Sequence, residues 1–193
     1  MLKRLLVSLF GKLMFAYEQS KLKVLYNNPN VSISQGLKIE EYFALNLPHS
    51  NYTIQFGENV HFKKYCHLLV FNNGQLYIGN GIFFNNYCSI NCLDKIEIGD
   101  NTMFGEGVKI YDHNHAHSYI DGKLIVDKDS FKTAPVIIGA NCWIGSNVTI
   151  LKGVTIGDNV IIGANNLIYR SVSANTIVKA KADYTTENQN ISN

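Results

Sequence analysis

The sequence predicts an all-β repeat fold, a column of short parallel strands arranged as three walls. Apolar residues recur at every sixth position through most of the chain, and Gly or Asn recurs three residues after them. A six-residue period fits neither an amphipathic helix nor a hairpin sheet, but it fits flat segments of which three complete one turn. The 193 residues and the hydrophobic content of 46% suit one domain with a packed core.

The apolar positions of the repeat, called markers below, are clearest towards the C-terminus. They form an unbroken series at Ile138, Ile144, Ile150, Ile156, Ile162 and Ile168. The markers further upstream are Phe56, Phe62, Leu68, Ile78, Phe84, Ile90, Ile98, Phe104 and Ile110. A second small or apolar residue precedes most markers by two positions, as a strand with one buried face requires.

Residues three positions after a marker indicate the corners of the column. Gly and Asn tolerate the positive φ that tight corners require. Tyr87 and Ser171 are the two exceptions among the ten corners of the later turns. The positions that agree are Gly81, Asn101, Gly107, Asn141, Asn147, Gly153, Asn159 and Asn165.

Three insertions interrupt the repeat, after Leu68, Ile90 and Ile110, and they add 4, 2 and 22 residues. Each one follows a set of three markers, so all three are expected to leave the column at the same corner. Repeat proteins often carry such insertions on the face that binds ligands. This corner is therefore the first place to look for chemistry.

The segments that flank the repeat have a different composition. We expect residues 1–30 to form a helical cap, residues 31–178 the repeat domain with a loop insertion at 112–135, and residues 179–193 a tail. The cap carries five basic residues against one acidic residue, while the remainder has a net charge of −2. A remainder of that charge argues against a nucleic-acid partner. The helix is interpreted as packing on its own domain or, alternatively, as making weak peripheral contact with anionic lipid.

The cysteine content and the N-terminus predict a cytoplasmic protein, located at the inner face of the membrane in the lipid interpretation. Four cysteines without a CxxC pair do not suit a disulfide framework. The apolar run near the N-terminus is interrupted by Lys12 and lacks a small-residue cleavage site, so neither a signal peptide nor a membrane span is predicted.

The segment VIIGANCWIGSNVTILKGVTIGDNVIIGAN, residues 136–165, resembles the hexapeptide-repeat acyltransferases, in particular their sugar O-acetyltransferases of the maltose and galactoside type. The resemblance extends over residues 54–168. It implies a left-handed parallel β-helix, acetyl-CoA as the acyl donor, and a homotrimer whose sites lie between subunits.

The run from Asp112 to His117, DHNHAH, opens the longest insertion. Transfer of an acetyl group to a hydroxyl requires a base, and histidine suits that role near neutral pH. The resemblance implies that His115 is this base. His113 is the alternative, and Asp112 is a candidate for orienting the imidazole. The competing interpretations are a polar loop without catalysis and a zinc site. The other histidines lack ligand-like spacing, so no metal is expected.

The acceptor site is expected at Asn85, Asp94 and Trp143. Asp94 lies in the two-residue insertion, one turn before the histidine run, where it could bind the acceptor or orient the imidazole. The resemblance implies acceptor contacts for Asn85 and a cleft lined by Trp143. It also implies contacts with coenzyme A for Trp143, Gly145, Ser146, Gly163 and Ala164. Lys179 and Lys181 are expected to meet the phosphates of the cofactor, since the tail lacks the proline-containing segment of the relatives.

The sequence therefore predicts an acetyl-CoA-dependent O-acetyltransferase. The expected acceptor is a carbohydrate hydroxyl of a capsular, O-antigen or other surface polysaccharide, or of its precursor, and the transfer is direct with a histidine base. Two alternatives stay open: an N-acetyltransferase of a nucleotide-linked amino sugar, and a non-catalytic β-helix scaffold.

Overall fold

The computed structural model describes residues 2–179, apart from several side chains of the N-terminal helix, and shows a parallel β-helix. Helix α1 (Leu2–Tyr26) precedes it. The first four turns contain β1 (Val31–Ile33), β2 (Lys38–Ile39), β3 (Ala44–Asn46), β4 (Thr53–Phe56), β5 (His61–Phe62), β6 (His67–Val70), β7 (Gln75–Ile78), β8 (Phe83–Phe84), β9 (Ser89–Cys92), β10 (Lys95–Ile98), β11 (Met103–Phe104) and β12 (Lys109–Tyr111).

The long insertion contributes two further strands, and the remaining turns follow it. The insertion holds β13 (His113–Ile120) and β14 (Lys123–Thr133). The later turns contain β15 (Val136–Ile138), β16 (Trp143–Ile144), β17 (Thr149–Ile150), β18 (Thr155–Ile156), β19 (Ile161–Ile162), β20 (Leu167–Ile168) and β21 (Ile177–Val178).

Three parallel sheets form the walls of the column, and each turn adds one strand to every wall. Wall A consists of β1, β4, β7, β10, β15 and β18; wall B of β2, β5, β8, β11, β16, β19 and β21; wall C of β3, β6, β9, β12, β17 and β20. Markers pair with markers across each wall, as Phe104 does with Phe84 and Ile144. The predicted left-handed β-helix with hexapeptide repeats is confirmed.

The interior of the column is a stack of apolar side chains in register. The rings of Phe62, Phe84 and Phe104 lie nearly parallel, with centroids 4.5 and 4.6 Å apart, and Ile144 and Ile162 continue this row of wall B. All these side chains are essentially inaccessible to solvent. Each turn therefore packs only on the turns before and after it. The same repeat forms the core and sets the distance between equivalent residues along each edge.

The corners have the backbone conformation expected from the sequence. Gly81, Gly107 and Asn147 have φ values of 66°, 67° and 57°. Tyr87, an exception by residue type, has the same conformation with φ of 63°. The edge between walls B and C, called the B–C edge, passes through Tyr42, Tyr65, Tyr87, Gly107, Asn147 and Asn165.

The insertion at the edge between walls C and A, called the C–A edge, is an antiparallel hairpin. Strands β13 and β14 pair from His113 with Thr133 to Ile120 with Lys123, with an irregularity between His115 and His117. Both residues of the turn, Asp121 and Gly122, have positive φ, which matches a type I′ hairpin. The insertion is therefore a hairpin and not the expected loop, and the Asp-Gly pair between its two strands is the hairpin signal in the sequence.

Among the described side chains of helix α1, burial against the column is found at the C-terminal end. Leu25 is fully buried, whereas Leu6, Leu9, Phe10 and Leu13 are each more than half exposed. Among the described residues, we find no helix that combines the length and the apolar character needed to cross a bilayer.

Candidate active site

The predicted site residues lie on two different edges of the column. Asp94, Asp112 and His115 lie at the C–A edge, where the hairpin leaves wall C. Asn85 and Ser146 lie at the B–C edge, one on each side of the Gly107 turn. Within one chain, therefore, the imidazoles and the predicted donor groups belong to separate edges.

Asp112 is a buried carboxylate at the base of the hairpin. Its side chain is inaccessible to solvent, and it accepts backbone N–H groups of Leu93 at 2.9 Å and Asp94 at 2.7 Å. Its Oδ1 also lies 3.1 Å from Nδ1 of His113. Asp112 therefore orients His113, not His115, and ties the two-residue insertion to the hairpin.

His115 is exposed, and its tautomer follows from one hydrogen bond. Nδ1 lies 3.1 Å from the backbone carbonyl oxygen of Asp127 on the opposite strand. A carbonyl oxygen can only accept, so Nδ1 carries the proton and Nε2 of the neutral ring keeps its lone pair. The ring also packs on Phe131, with centroids 4.8 Å apart. This is the state that a general base requires.

The other two histidines of the run have different surroundings. His113 is only 17% exposed and packs edge-on against Tyr111 and Phe131. His117 is exposed and lines a pocket of about 530 Å³ on the hairpin. His115 thus combines exposure with a fixed tautomer, whereas His113 combines burial with an acidic partner.

Asp94 contributes its backbone to this edge. Its N–H donates to Asp112 and its carbonyl oxygen accepts from Gln75. No hydrogen bond joins its carboxylate to an imidazole within the described part of the chain, so the predicted role in orienting the base is not seen here. Its partly exposed carboxylate stays available to a ligand.

At the position before the corner residue, the B–C edge leaves the backbone N–H groups of Glu106, Ser146 and Ala164 without a hydrogen-bond partner among the described residues. On the edge between walls A and B, some corresponding N–H groups are capped by a side chain of the next turn, as Asn80 is by Asp100 at 2.7 Å and Ala140 by Asp158 at 2.8 Å.

The missing cap of Ser146 follows from the sequence. The residue that follows Ser146 by one turn is Ala164, whose side chain has no oxygen. Because consecutive turns are about 4.8 Å apart, the three amides form a straight row of donors. Such a row suits a long, narrow ligand with carbonyl groups, because each backbone N–H can donate a hydrogen bond to one of its oxygens.

Gly145 and Gly163 lie beside this row, and Gly145 is required for close packing. A Cβ on Gly145 would lie 2.6 Å from the backbone nitrogen of Ala164 and 2.7 Å from the carbonyl oxygen of Ile162. The N–H groups of both glycines are used within wall B. The cofactor contacts of these two glycines therefore stay predictions. The structure adds that close packing requires a glycine at position 145.

Trp143 and Asn85 have side chains that a ligand can reach. Trp143 projects from wall B and is 52% exposed, next to Met103 of the preceding turn. Asn85 is partly exposed, and its side-chain oxygen caps the N–H of Asn86 at 2.8 Å. Lys179 is exposed, and Lys181 lies outside the described residues.

Sequence reasoning missed two contributors at the edges. The carbonyl of Asp127 and the ring of Phe131 hold His115, and both come from the second strand of the hairpin. Recognition of the Asp121-Gly122 turn would have paired these strands. Tyr87 was noted only as an exception among the corners.

The four cysteines are free and buried. Burial raises the pKa of the Cys142 thiol and, together with the Cys66 hydrogen bond, that of Cys88. Among the described residues, no three His, Cys, Asp or Glu side chains come together as metal ligands.

Comparison with known proteins adds one family and several relatives. A family model described as bacterial transferase hexapeptide (six repeats) matches residues 135–170. A putative lipopolysaccharide biosynthesis O-acetyl transferase from Escherichia coli (strain K12) is 32% identical over 131 residues, which cover 65% of this chain and 67% of that protein.

Two solved structures share the fold. A hexapeptide-repeat acetyltransferase from Vibrio cholerae O1 biovar eltor, solved with acetyl coenzyme A, is 22% identical over 65% of either chain, with a TM-score of 0.52. The chain thus spans slightly less than two thirds of that protein. An N-acyltransferase from Bacillus cereus, solved with dTDP-4-amino-4,6-dideoxyglucose and coenzyme A, is 20% identical over 84% of either chain, with a TM-score of 0.63.

Proposed function

Since this chain belongs to the hexapeptide-repeat acyltransferase family, we propose that it is an acetyl-CoA-dependent O-acetyltransferase of a carbohydrate hydroxyl. The acceptor is a surface polysaccharide, such as a capsule or O-antigen, or its precursor. The relationship to the lipopolysaccharide O-acetyl transferase supports the acceptor class. The observation that carries the chemistry is the hydrogen bond between His115 and Asp127, which leaves Nε2 free as a base.

In the proposed reaction, Nε2 of His115 removes the proton of the acceptor hydroxyl as its oxygen attacks the thioester carbonyl. A backbone N–H of the B–C edge stabilises the oxyanion. When the C–S bond breaks, the imidazolium returns its proton to the thiolate, so that an acetyl ester and free coenzyme A leave. The transfer is direct because the four thiols are buried and unsuited to an acyl-enzyme.

The uncapped amides of Glu106, Ser146 and Ala164 are the proposed docking groups for the pantetheine arm. Its two amide carbonyls can accept from this row, and Trp143 and Asn85 border it. Lys179 is proposed to meet the cofactor phosphates, as is Lys181 in the tail. Coenzyme A thus runs along the B–C edge.

A complete site requires two copies of the chain, because the base and the donor row occupy different edges. We propose a homotrimer in which the hairpin of one copy reaches the B–C edge of the next. The tip of the hairpin supports this arrangement, since Tyr119, Ile120 and Leu124 are each more than half exposed. Apolar side chains at this density are typical of a covered surface.

The direct test is an assay with purified protein, acetyl-CoA and surface oligosaccharides from O-acetylated strains. Release of coenzyme A, followed with a thiol reagent, must coincide with a mass increase of one acetyl group on the glycan. Amino sugars linked to dTDP or UDP form the second arm. Faster transfer to the amine would establish the N-acetyltransferase, and failure to bind coenzyme A at millimolar levels would establish a scaffold.

We also propose that residues 1–30 are a cap that holds the enzyme at the cytoplasmic face of a membrane. Leu6, Leu9, Phe10 and Leu13 recur at helical spacing on an exposed surface, and the segment carries an excess of basic residues. Co-sedimentation with phosphatidylglycerol vesicles tests this proposal. The variant Leu9→Glu/Leu13→Glu should stay in the supernatant, and neutral phosphatidylcholine vesicles should bind less than anionic ones.

A further inference from the structure

The second strand of the hairpin contains a bulge beside His115. One residue of β13, Ala116, lies opposite four residues of β14, and the pairs that flank this irregularity are His115 with Phe131 and His117 with Val126. The four residues 127–130, with the sequence Asp-Lys-Asp-Ser, are called the bulge below. Because a bulge interrupts the ladder of backbone hydrogen bonds, local contacts must fix the path of this segment.

The two ends of the bulge hold the ring of His115. Its first residue, Asp127, accepts the hydrogen bond of Nδ1 through the backbone carbonyl at 3.1 Å. Phe131, which directly follows its last residue, packs on the ring with centroids 4.8 Å apart. The position of the imidazole therefore depends on the backbone between residues 127 and 131. All four residues of the bulge are exposed, so burial does not fix that backbone.

The side chain of Asp127 closes the bulge. Its Oδ1 accepts the backbone N–H of Asp129 at 2.9 Å and that of Ser130 at 3.2 Å. Aspartate and asparagine make turns of this kind because their short side chains reach the N–H groups two and three residues further along the chain. These two bonds restrain the backbone of Asp127 and thus the direction of its carbonyl group.

The carboxylate of Asp127 is ionised near neutral pH. Hydrogen bonds from the side chain of Ser130, from the backbone of Asp129 and from the backbone of Ser130, together with the nearby ring of His115, hold the pKa of Asp127 below its ordinary value. An ionised carboxyl group has only acceptor sites. The turn that it closes is therefore intact at the pH at which a histidine base works.

We propose that Asp127 is a positioning residue for the base, whose side chain holds the bulge so that its carbonyl selects the tautomer of His115 with a free Nε2. In water, a neutral histidine favours the proton on Nε2, so this contact selects the less common tautomer. The carboxylate thus acts on the ring through the backbone and not by direct contact. The inference rests on the proposed function for the role of His115 as a base.

Two substitutions of Asp127 separate the geometry of the turn from the charge. Asp127→Asn keeps an acceptor oxygen at the same distance from the backbone and removes the charge. Asp127→Glu keeps the charge, but its additional methylene group moves the oxygens away from the two N–H groups. Asp127→Ala removes both. Asp129→Ala is the matched control, since the Asp129 side chain makes no hydrogen bond with another described residue and its backbone N–H remains.

The tautomer of His115 is measured by long-range ¹H–¹⁵N correlation spectra of the imidazole nitrogens, in which His115→Ala identifies the signals. We expect the proton on Nδ1 in the wild type, in Asp127→Asn and in Asp129→Ala, with kcat close to the wild-type value. In Asp127→Glu and Asp127→Ala, both tautomers should be populated, and kcat should fall by about ten- to a hundredfold because the base is misplaced. The KM for acetyl-CoA should be unchanged, since the donor row lies on the B–C edge.

Three results would overturn the positioning role. The first is an Nδ1 proton and a normal kcat in Asp127→Glu and Asp127→Ala. The second is recovery by Asp127→Glu but not by Asp127→Asn, because the charge would then act and not the turn. The third is an equal loss of kcat in Asp129→Ala. If Asp127→Ala does not fold, the comparison of Asp127→Asn with Asp127→Glu decides alone.

The spectra also separate this inference from the proposed function, because they require no substrate. If the tautomer follows the expected pattern but the wild-type protein transfers no acetyl group, the function fails and the control of the tautomer by Asp127 stands. If the wild-type protein transfers acetyl groups while His115 carries its proton on Nε2, the positioning role fails and the function stands.

Discussion

Nδ1 of His115 donates to the carbonyl oxygen of Asp127, at 3.1 Å across the hairpin. This contact fixes the tautomer from the backbone and not through a carboxylate bound to the ring. The carboxylate that sequence analysis assigned to the imidazole, Asp112, instead holds His113. The hairpin therefore contains two oriented imidazoles, one exposed and one largely buried, and the exposed one can meet a substrate.

The first prediction is that His115→Ala lowers kcat by about two to four orders of magnitude, the range expected when a general base is lost. Because His115 does not belong to the donor row, the affinity for coenzyme A should be unchanged. Steady-state kinetics and calorimetric titration with coenzyme A measure the two quantities.

His117→Ala is the matched control for this substitution, since His117 is an exposed neighbour on the same strand. It should retain most of the wild-type turnover. If His113→Ala abolishes turnover with unchanged stability while His115→Ala does not, the base is His113.

Asp112→Asn should destabilise the fold by about 2–3 kcal/mol, the range for lost hydrogen bonds to a buried charged group. The two oxygens of the carboxylate accept from Leu93, Asp94 and His113, whereas asparagine keeps only one oxygen and turns its NH2 group towards a donor. Urea unfolding measures the change. Asp94→Asn is the control, because Asp94 contributes only backbone groups, and a loss of equal size there would contradict the assignment.

Three of the four thiols should be unreactive in the native protein. Cys88, Cys92 and Cys142 are buried, and burial raises the pKa of Cys92 and of Cys142. We expect slow labelling by a thiol reagent until the protein is unfolded. Cys142→Ala should keep its activity apart from any loss of stability, and a loss of transfer in a folded variant would instead favour an acyl-enzyme.

The fold followed from the sequence because one local rule is repeated in every turn. The six-residue period predicted the pairing of markers such as Phe84 with Phe104, and the Gly and Asn positions predicted the corners. The spacing of the insertions also predicted that Asp94 and the histidine run share one edge, where Asp112 now binds the N–H of Asp94.

The site could be predicted only in part, because its remaining features depend on what neighbouring turns lack. The Ser146 amide is uncapped because Ala164, which has no side-chain oxygen, follows it one turn later. The contact of His115 with Asp127 requires the register of a hairpin, which the periodicity of the column does not encode.

Removal of single amides should weaken donor binding without unfolding the column. Ser146 and Ala164 each precede a corner residue with positive φ, the position at which proline is favoured in a type II turn. Ser146→Pro and Ala164→Pro should therefore fold normally and raise the KM for acetyl-CoA about tenfold or more. Lys152→Pro, at the equivalent position of the C–A edge, should leave this KM unchanged.

A mixture of two impaired variants, assayed at acetyl-CoA concentrations well below the KM of Ser146→Pro, should recover activity if the site is shared between copies. His115→Ala lacks the base but keeps the donor row, whereas Ser146→Pro keeps the base. After co-refolding, a mixed trimer contains interfaces in which an intact hairpin meets an intact B–C edge. Random assembly of a trimer from equal parts predicts partial recovery, up to about a quarter of wild-type turnover. No recovery from oligomers shown to be mixed would mean that the base and the donor row of a single chain act together.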